Sequence, residues 1–220
     1  AFVLAEEKYQ VPDNVIAALL WIETRHGENL GHFHIVSVYL HLLQSDLRSN
    51  KKALTLLAIE KNKKVLEYPE EDIKSIMAER TKKRTLWARE QLLALASIRK
   101  KKHLDLKKLR GSYAGALGLP QFIPSSYQDF AKSIKPKAAA NLNAPGDAIM
   151  SVAYYLSKHG WQNCDAESKI AALMKYNNSR DYADSILEIS KRTAAQNHIP
   201  NARRISSTDD LATSDHCKAE

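Results

Sequence analysis

Apolar residues recur at helical spacing along almost the whole of this chain, and one stretch breaks the pattern. Leu109–Tyr127 holds three of the seven glycines and two of the seven prolines. Elsewhere both residues are sparse, which argues against an all-β fold with many tight turns and for a mainly α one. At 220 residues, 44% hydrophobic and 26% charged, the chain can bury a sizeable core and reads as globular rather than disordered. No apolar run approaches the roughly 20 residues of a membrane span. Ala1–Gln10 mixes charges with apolar residues, unlike a signal peptide. The expectation is a protein that is not exported or one whose leader has been removed. Cys164 and Cys217 are too few for a disulfide framework or a zinc site on their own, and they leave the compartment open.

The net charge is +8, which favours anionic partners such as nucleic acid, acidic lipid or an acidic polymer. Lys82-Lys83-Arg84 and Arg99-Lys100-Lys101-Lys102-His103 are basic runs, with Lys107, Lys108 and Arg110 following. A solvated helix face is the simpler reading of such runs, which alone are weak evidence for nucleic-acid binding. No sequence motif of a DNA- or RNA-binding module occurs, so no nucleic-acid partner is expected.

Pro12 and Asp13 suit a first helical turn, the stripe Val15, Ile16, Leu19, Leu20 and Ile22 follows, and Gly27 marks a stop. Further helices are expected at Ile35–Gln44 and Lys52–Leu66. Pro69, Glu70, Glu71 and Asp72 place a proline and three acids in the next first turn. A helix starting there reaches Arg99, either unbroken or interrupted near Thr81. Helices resume at Ser125–Ser133, Pro145–His159, Glu167–Tyr176 and Asp181–Ala195.

Three constellations carry candidate chemistry. Glu23 lies three, four and seven residues after Leu20, Leu19 and Ile16, so it continues their apolar stripe. Burial and the negative end of the helix dipole both favour a protonated carboxyl, which is what a general acid needs. A buried Glu paired with Arg25 or with a lysine elsewhere is the alternative. The second constellation is the run from Gly111-Ser112-Tyr113-Ala114-Gly115 through Gly118, Pro120, Gln121, Phe122 and Pro124 to Ser126. It mixes small residues, hydrogen-bonding groups and ring faces, as a sugar site requires. A glycine-rich turn with packed aromatics would look the same in composition. The third is Tyr176-Asn177-Asn178-Ser179, with Tyr182 beyond and Tyr154-Tyr155 upstream. Aromatics at helical spacing are usually core, and an Asn at a helix end is often a cap. His26, His32, His34 and His41 crowd one region, yet no Cys or carboxylate pattern completes a zinc motif. No phosphate loop, dinucleotide fingerprint or G-x-S-x-G elbow is present.

Together these motifs resemble the lytic murein transglycosylases of the MltB type, on the lysozyme-like fold. Ile22-Glu23-Thr24-Arg25-His26-Gly27 is similar to that family's motif around a single catalytic glutamate. Leu104–Ser126 is the nearest match, Asp147–Trp161 continues it, and Tyr176-Asn177 and Tyr182 fall where the family has its tyrosines and Tyr-Asn pair. The resemblance spans residues 3–195. It implies one lysozyme-like helical domain with a deep substrate cleft over 1–198, a charged helical insertion at about 50–84, and a polar tail at 199–220. Three departures stand out. The family's aromatic-Pro-Arg-Arg segment is absent, and Asp46-Leu47-Arg48-Ser49 is a poor substitute. The 50–84 stretch is extra, and docking of a protein partner is one role open to it. Some members carry an acidic calcium loop after the Pro-Ser-Ser motif, but Lys132–Asn143 is basic and holds no acid, so no calcium and no other cofactor is expected.

The resemblance further implies non-hydrolytic cleavage of the MurNAc–GlcNAc β-1,4 bond of peptidoglycan. Glu23 would act as acid and then as base, with the MurNAc acetamide assisting and a 1,6-anhydro ring closing. Ser112 would orient Glu23, and Gln121 and Asn177 would hydrogen-bond the sugar. Tyr155, Tyr176, Phe122 and Tyr182 would line the cleft. A periplasmic or envelope location is implied, although no membrane anchor is visible in this chain. Two alternatives remain. One is a wall-binding or assembly protein with weak or absent catalysis. The other is lysozyme-type hydrolysis that uses Asp147 or Asp165 as a second acid.

Overall fold

The computed structural model describes residues 1–63, 68–102 and 104–197, so the polar tail expected at 199–220 lies outside the described residues. In chain order the elements are α1 (Phe2–Tyr9), α2 (Asp13–Thr24), β1 (Phe33–His34), α3 (Ile35–Leu43), α4 (Arg48–Asn62), α5 (Glu70–Lys102), β2 (Arg110–Gly111), α6 (Pro124–Phe130), α7 (Pro145–Lys158), α8 (Ala166–Tyr176) and α9 (Arg180–Asn197). The fold is mainly α, as the spacing predicts. The chain divides into two compact units, one formed by 1–29 with 130–220 and the other by 30–129.

In the first unit α7 is the central helix. Ala148, Ile149, Met150, Val152, Ala153, Tyr155 and Leu156 are all buried, so it is apolar around most of its circumference. It packs on α1, α2 and α8, while α9 packs on α2 and α8. Ile16, Leu19 and Leu20 of α2 are buried on the stripe expected for them. Gly27 is not the stop residue. The helix ends at Thr24 because Arg25 takes the left-handed cap position (φ 50°), where its N–H reaches Trp21 O at 2.8 Å and the His26 N–H reaches Leu20 O at 3.2 Å. Helix α1 was not predicted. Only Ala5 is buried along it, so it carries no apolar stripe to read.

In the second unit α5 packs against both α3 and α4. Helix α5 runs unbroken through Thr81, which settles the open question about that position. The reason lies in the α3–α4 turn. The Thr81 hydroxyl is buried and sits 3.1 Å from Asp46 Oδ1, so the β-branched residue is held in place. Thr85 Oγ1 adds bonds to the Asp46 N–H at 3.1 Å and to Leu43 O at 3.2 Å. Asp46 also pairs with Lys51 at 2.7 Å, and that contact holds its carboxyl below the usual range. The Asp-Leu-Arg-Ser segment is thus a tie between α3, α4 and α5.

Strands β1 and β2 pair antiparallel, Phe33 with Gly111 and His34 with Arg110. A side chain at Gly111 would collide with Ala116 O. Gly115 has φ +92°, and a Cβ there would lie 2.5 Å from Cζ of the fully buried Tyr39 ring. The Tyr39 hydroxyl donates to Gly115 O at 3.0 Å. Gly115→Ala should therefore cost about 2–4 kcal/mol through backbone strain and overpacking. Tyr39→Phe should cost about 1 kcal/mol through the lost hydrogen bond. Urea unfolding should show the larger midpoint shift for Gly115→Ala with little change in slope.

Candidate functional site

The structure divides the predicted site residues between the two units. Glu23, Tyr155, Tyr176, Asn177 and Tyr182 belong to the first, and Ser112, Gln121 and Phe122 to the second.

Glu23 is the penultimate residue of α2 and is half-buried. Thr24 fixes the turn beyond it, since its buried Oγ1 accepts from the Gly27 N–H at 3.1 Å. The Tyr182 hydroxyl, on α9, donates to Glu23 Oε1. This pair spans 159 positions in the sequence, and neither propensity nor spacing points to it. Burial pushes the Glu23 carboxyl above its ordinary value, and the Tyr182 hydrogen bond, which favours the ionised form, pulls part of the shift back.

Behind this pair the rings form a relay of contacts. Tyr182 is nearly parallel to Tyr176 at 6.5 Å between centroids, and Tyr176 meets Tyr155 edge-on at 4.8 Å. His159 stacks on Tyr155 at 4.0 Å, and Phe130 contacts both at 4.8 and 5.0 Å. Tyr155 is buried, with its hydroxyl donating to Lys175 O at 2.7 Å. Burial raises its pKa to about 12 and pushes Tyr176 well above the ordinary value. Burial and then the Glu23 charge raise Tyr182. These phenols stay protonated, so they act as donors and surfaces rather than as bases. His159 and Phe130 were not singled out from sequence. His159 does lie in the Asp147–Trp161 stretch that carries the resemblance, one helical turn after Tyr155. Asn177 caps α8 in extended conformation, with its side chain exposed.

The other candidate acids of this unit are engaged. Asp147 is buried, and its Oδ1 accepts from the Ile134 N–H at 2.8 Å and the Ser133 hydroxyl at 3.2 Å. Its Oδ2 accepts from the Asn141 N–H at 2.7 Å. Asp165 caps α8 by accepting from the Glu167 and Ser168 N–H groups at 3.0 and 3.1 Å. The same contacts bear on cation binding. The 132–143 loop contains three lysines and no carboxylate, and the one carboxylate it touches is filled by loop donors. This donor set does not fit a calcium ion. Among the described residues no group of three His, Cys, Asp or Glu side chains could hold a metal.

In the second unit the glycine-rich run folds into a tight double turn. The Ser112 N–H donates to Ala116 O, the Ala116 N–H donates back to Ser112 Oγ, both at 3.0 Å, and Leu117 and Phe122 exchange backbone bonds at 2.8 and 3.1 Å. Gln121 takes a left-handed conformation (φ 50°), and its Nε2 donates to Gly118 O at 2.8 Å. Phe122 is only 2% exposed, so its ring is a packing element of the turn. Tyr113 is 79% exposed and, with Phe33, His34, Ser37 and His41, lines an open cavity of about 350 Å³. Of the crowded histidines, His34 and His41 serve local structure, with His41 Nδ1 2.7 Å from Ser37 O. His34 Nδ1 lies 3.3 Å from the Ser37 N–H as the α3 cap, which leaves the Nε2 hydrogen for Leu106 O at 3.1 Å.

Comparison with known proteins follows the same lines. Residues 1–169 match the family model described as the Transglycosylase SLT domain. The chain is 29% identical over 167 residues to membrane-bound lytic murein transglycosylase B of Escherichia coli (strain K12), across 76% of this chain and 37% of that protein. It thus spans little more than a third of that relative's length. The soluble lytic transglycosylase SltB1 of Pseudomonas aeruginosa shares the fold with a TM-score of 0.67 at 21% identity, over 89% of this chain and 74% of that one. SltB3 of the same organism, solved in complex with NAG-anhNAM-pentapeptide, has a TM-score of 0.64 at 18% identity, over 88% and 59%. With the family model matched over well more than half its length, the chain belongs to the Transglycosylase SLT domain family.

Proposed function

We propose that this protein is a peptidoglycan lytic transglycosylase that cleaves the MurNAc–GlcNAc β-1,4 bond without water and leaves a 1,6-anhydroMurNAc end. The observation that carries this reading is Glu23: a half-buried carboxyl with a raised pKa, held by one phenol, while Asp147 and Asp165 are bound to backbone donors. A hydrolase of the usual kind needs two available carboxyl groups. Here a single group acts twice. Protonated Glu23 gives its proton to the glycosidic oxygen as the C1–O bond breaks, and the substrate's acetamide oxygen supports C1. The Glu23 carboxylate then takes the proton of the C6 hydroxyl as O6 closes on C1. No water is consumed, and the carboxyl ends protonated as it began.

Tyr182 acts in this scheme as a positioning residue. Its hydrogen bond fixes the rotamer of Glu23 and supports the carboxylate that exists between the two proton transfers. Tyr176 braces Tyr182 through a ring contact, and Tyr155 backs Tyr176. Asn177 and Gln121 supply amide groups to the sugar or its N-acetyl group, and Ser112 supplies a hydroxyl. Phe122 contributes by holding the turn that sets Gln121. The glycan strand of peptidoglycan is the substrate, with the cell envelope as the place of action. Similarity to a murein transglycosylase supports both.

Glu23→Gln should lower activity by about 10²–10⁴-fold or more. Digests of purified peptidoglycan read by mass spectrometry should contain 1,6-anhydroMurNAc products with the wild type and none with the variant. Reducing-end products, or unchanged cleavage by the variant, would remove the proposal. The same substitution should keep or raise the melting temperature at neutral pH. A carboxyl whose folded pKa lies above its unfolded value stabilises only at low pH, and that contribution is lost as pH rises through the folded pKa. Glutamine has no such penalty. Tyr182→Phe removes a donor to the carboxylate, so the Glu23 pKa should rise further. The alkaline limb of kcat/KM should then move to higher pH as the maximal rate falls.

A further inference from the structure

The basic character of this protein is concentrated in one place. Residues 48–102 carry 16 of the 33 basic and 7 of the 25 acidic side chains, a net +9, which leaves the remainder at −1. Along α5 the exposed residues Lys82, Leu86, Arg89, Leu93, Ala96 and Lys100 follow one another at three- and four-residue steps and so form a single stripe. Leu86 is 49% and Leu93 59% exposed, both far out for leucine. At its C-terminal end the stripe runs into a groove of about 480 Å³, within the size range of small-ligand sites. Val36 on α3 and Leu92, Leu95, Ala96 and Leu106 form its apolar wall, and Arg99 and Lys100 are its charged groups. Neither cation has an ion-pair partner among the described residues.

We propose that this stripe and groove dock on a bilayer of anionic phospholipid, with Leu86 and Leu93 entering the interface, an acyl chain in the groove and its headgroup against Arg99 and Lys100. Two features select this occupant. Among the described residues the groove wall pairs hydrocarbon with two cations, which suits an apolar chain ending in an anion. The stripe extends from Lys82 to Lys100, about 27 Å of helix at 1.5 Å per residue, longer than one ligand and suited to a surface. Leucines between cations on one helix face are the pattern of an interfacial helix, and each basic residue near an anionic surface adds attraction.

The test is flotation of the full chain with vesicles of phosphatidylglycerol and phosphatidylcholine against vesicles of phosphatidylcholine alone. Anionic vesicles should bind at least about tenfold more protein, and binding should fall with added salt. The pair Arg99→Glu and Lys100→Glu should lower binding at least about tenfold. The pair Leu86→Ser and Leu93→Ser should lower it severalfold at unchanged charge. All four positions are exposed, so melting temperature and cleavage of soluble glycan fragments should be retained. Equal binding to both vesicle types would overturn the proposal. So would charge-reversed protein that binds as before, or a leucine pair without effect, which would mean plain surface electrostatics.

Discussion

One carboxyl, half-buried at the end of α2 and held by one phenol from α9, is the constraint on which the first unit depends. Removing a carboxylate from water is unfavourable, and a single hydrogen bond offsets only part of that. The fold therefore has to spend stability on Glu23, and the surrounding architecture shows where the compensation comes from. Helix α7 is buried on most of its surface, the stripe of α2 is closed by Ile16, Leu19 and Leu20, and α9 packs along α2 so that Tyr182 arrives at the carboxyl. The Tyr182 ring lies against Tyr176, which meets Tyr155, which in turn stacks on His159. A destabilised acid set in an over-determined scaffold is a common arrangement where chemistry is done.

The two aspartates that look like catalytic partners on paper show how the rest of the unit is organised. Asp147 gathers the loop before α7 through three donors, and Asp165 starts α8. Both carboxyl groups hold local structure by accepting from backbone N–H groups, Asp147 from its loop and Asp165 from the first turn of its helix. In the second unit Asp46 does the same work for the turn after α3, with Thr81 and Lys51 as partners. Among these four carboxyl groups, Asp46, Asp147 and Asp165 each accept from two or more donors and hold a turn, loop or helix start, whereas Glu23 accepts from Tyr182.

Much of the helical plan was legible because the stripes are strong. Helices α2, α3, α7 and α8 lie within one to three residues of their expected bounds, and Glu23 follows from the positions of Leu19 and Leu20. Helix α1 was not legible, since one buried alanine makes no stripe. The Arg25 cap was missed because a left-handed arginine leaves no compositional mark, and Gly27 two residues later drew the eye instead. Long-range pairs were the true limit. The Glu23–Tyr182 bond and the Asp46–Thr81 tie connect residues far apart in the chain, and local periodicity is silent on such partners. Motif resemblance carried Tyr182 to the site as a lining ring, but its contact to the carboxyl needed coordinates.

The Tyr39–Gly115 contact has a consequence for how this family member can vary. The phenol occupies the volume that a side chain at position 115 would need, and the carbonyl of that same residue is its acceptor. Positions 39 and 115 are therefore one unit of inheritance, although 76 residues separate them. A lineage that gains a side chain at 115 must first lose the ring at 39, and the order of the two changes is fixed by sterics. Related chains should record this as correlated substitution, with a large aromatic at the first position found only beside glycine at the second.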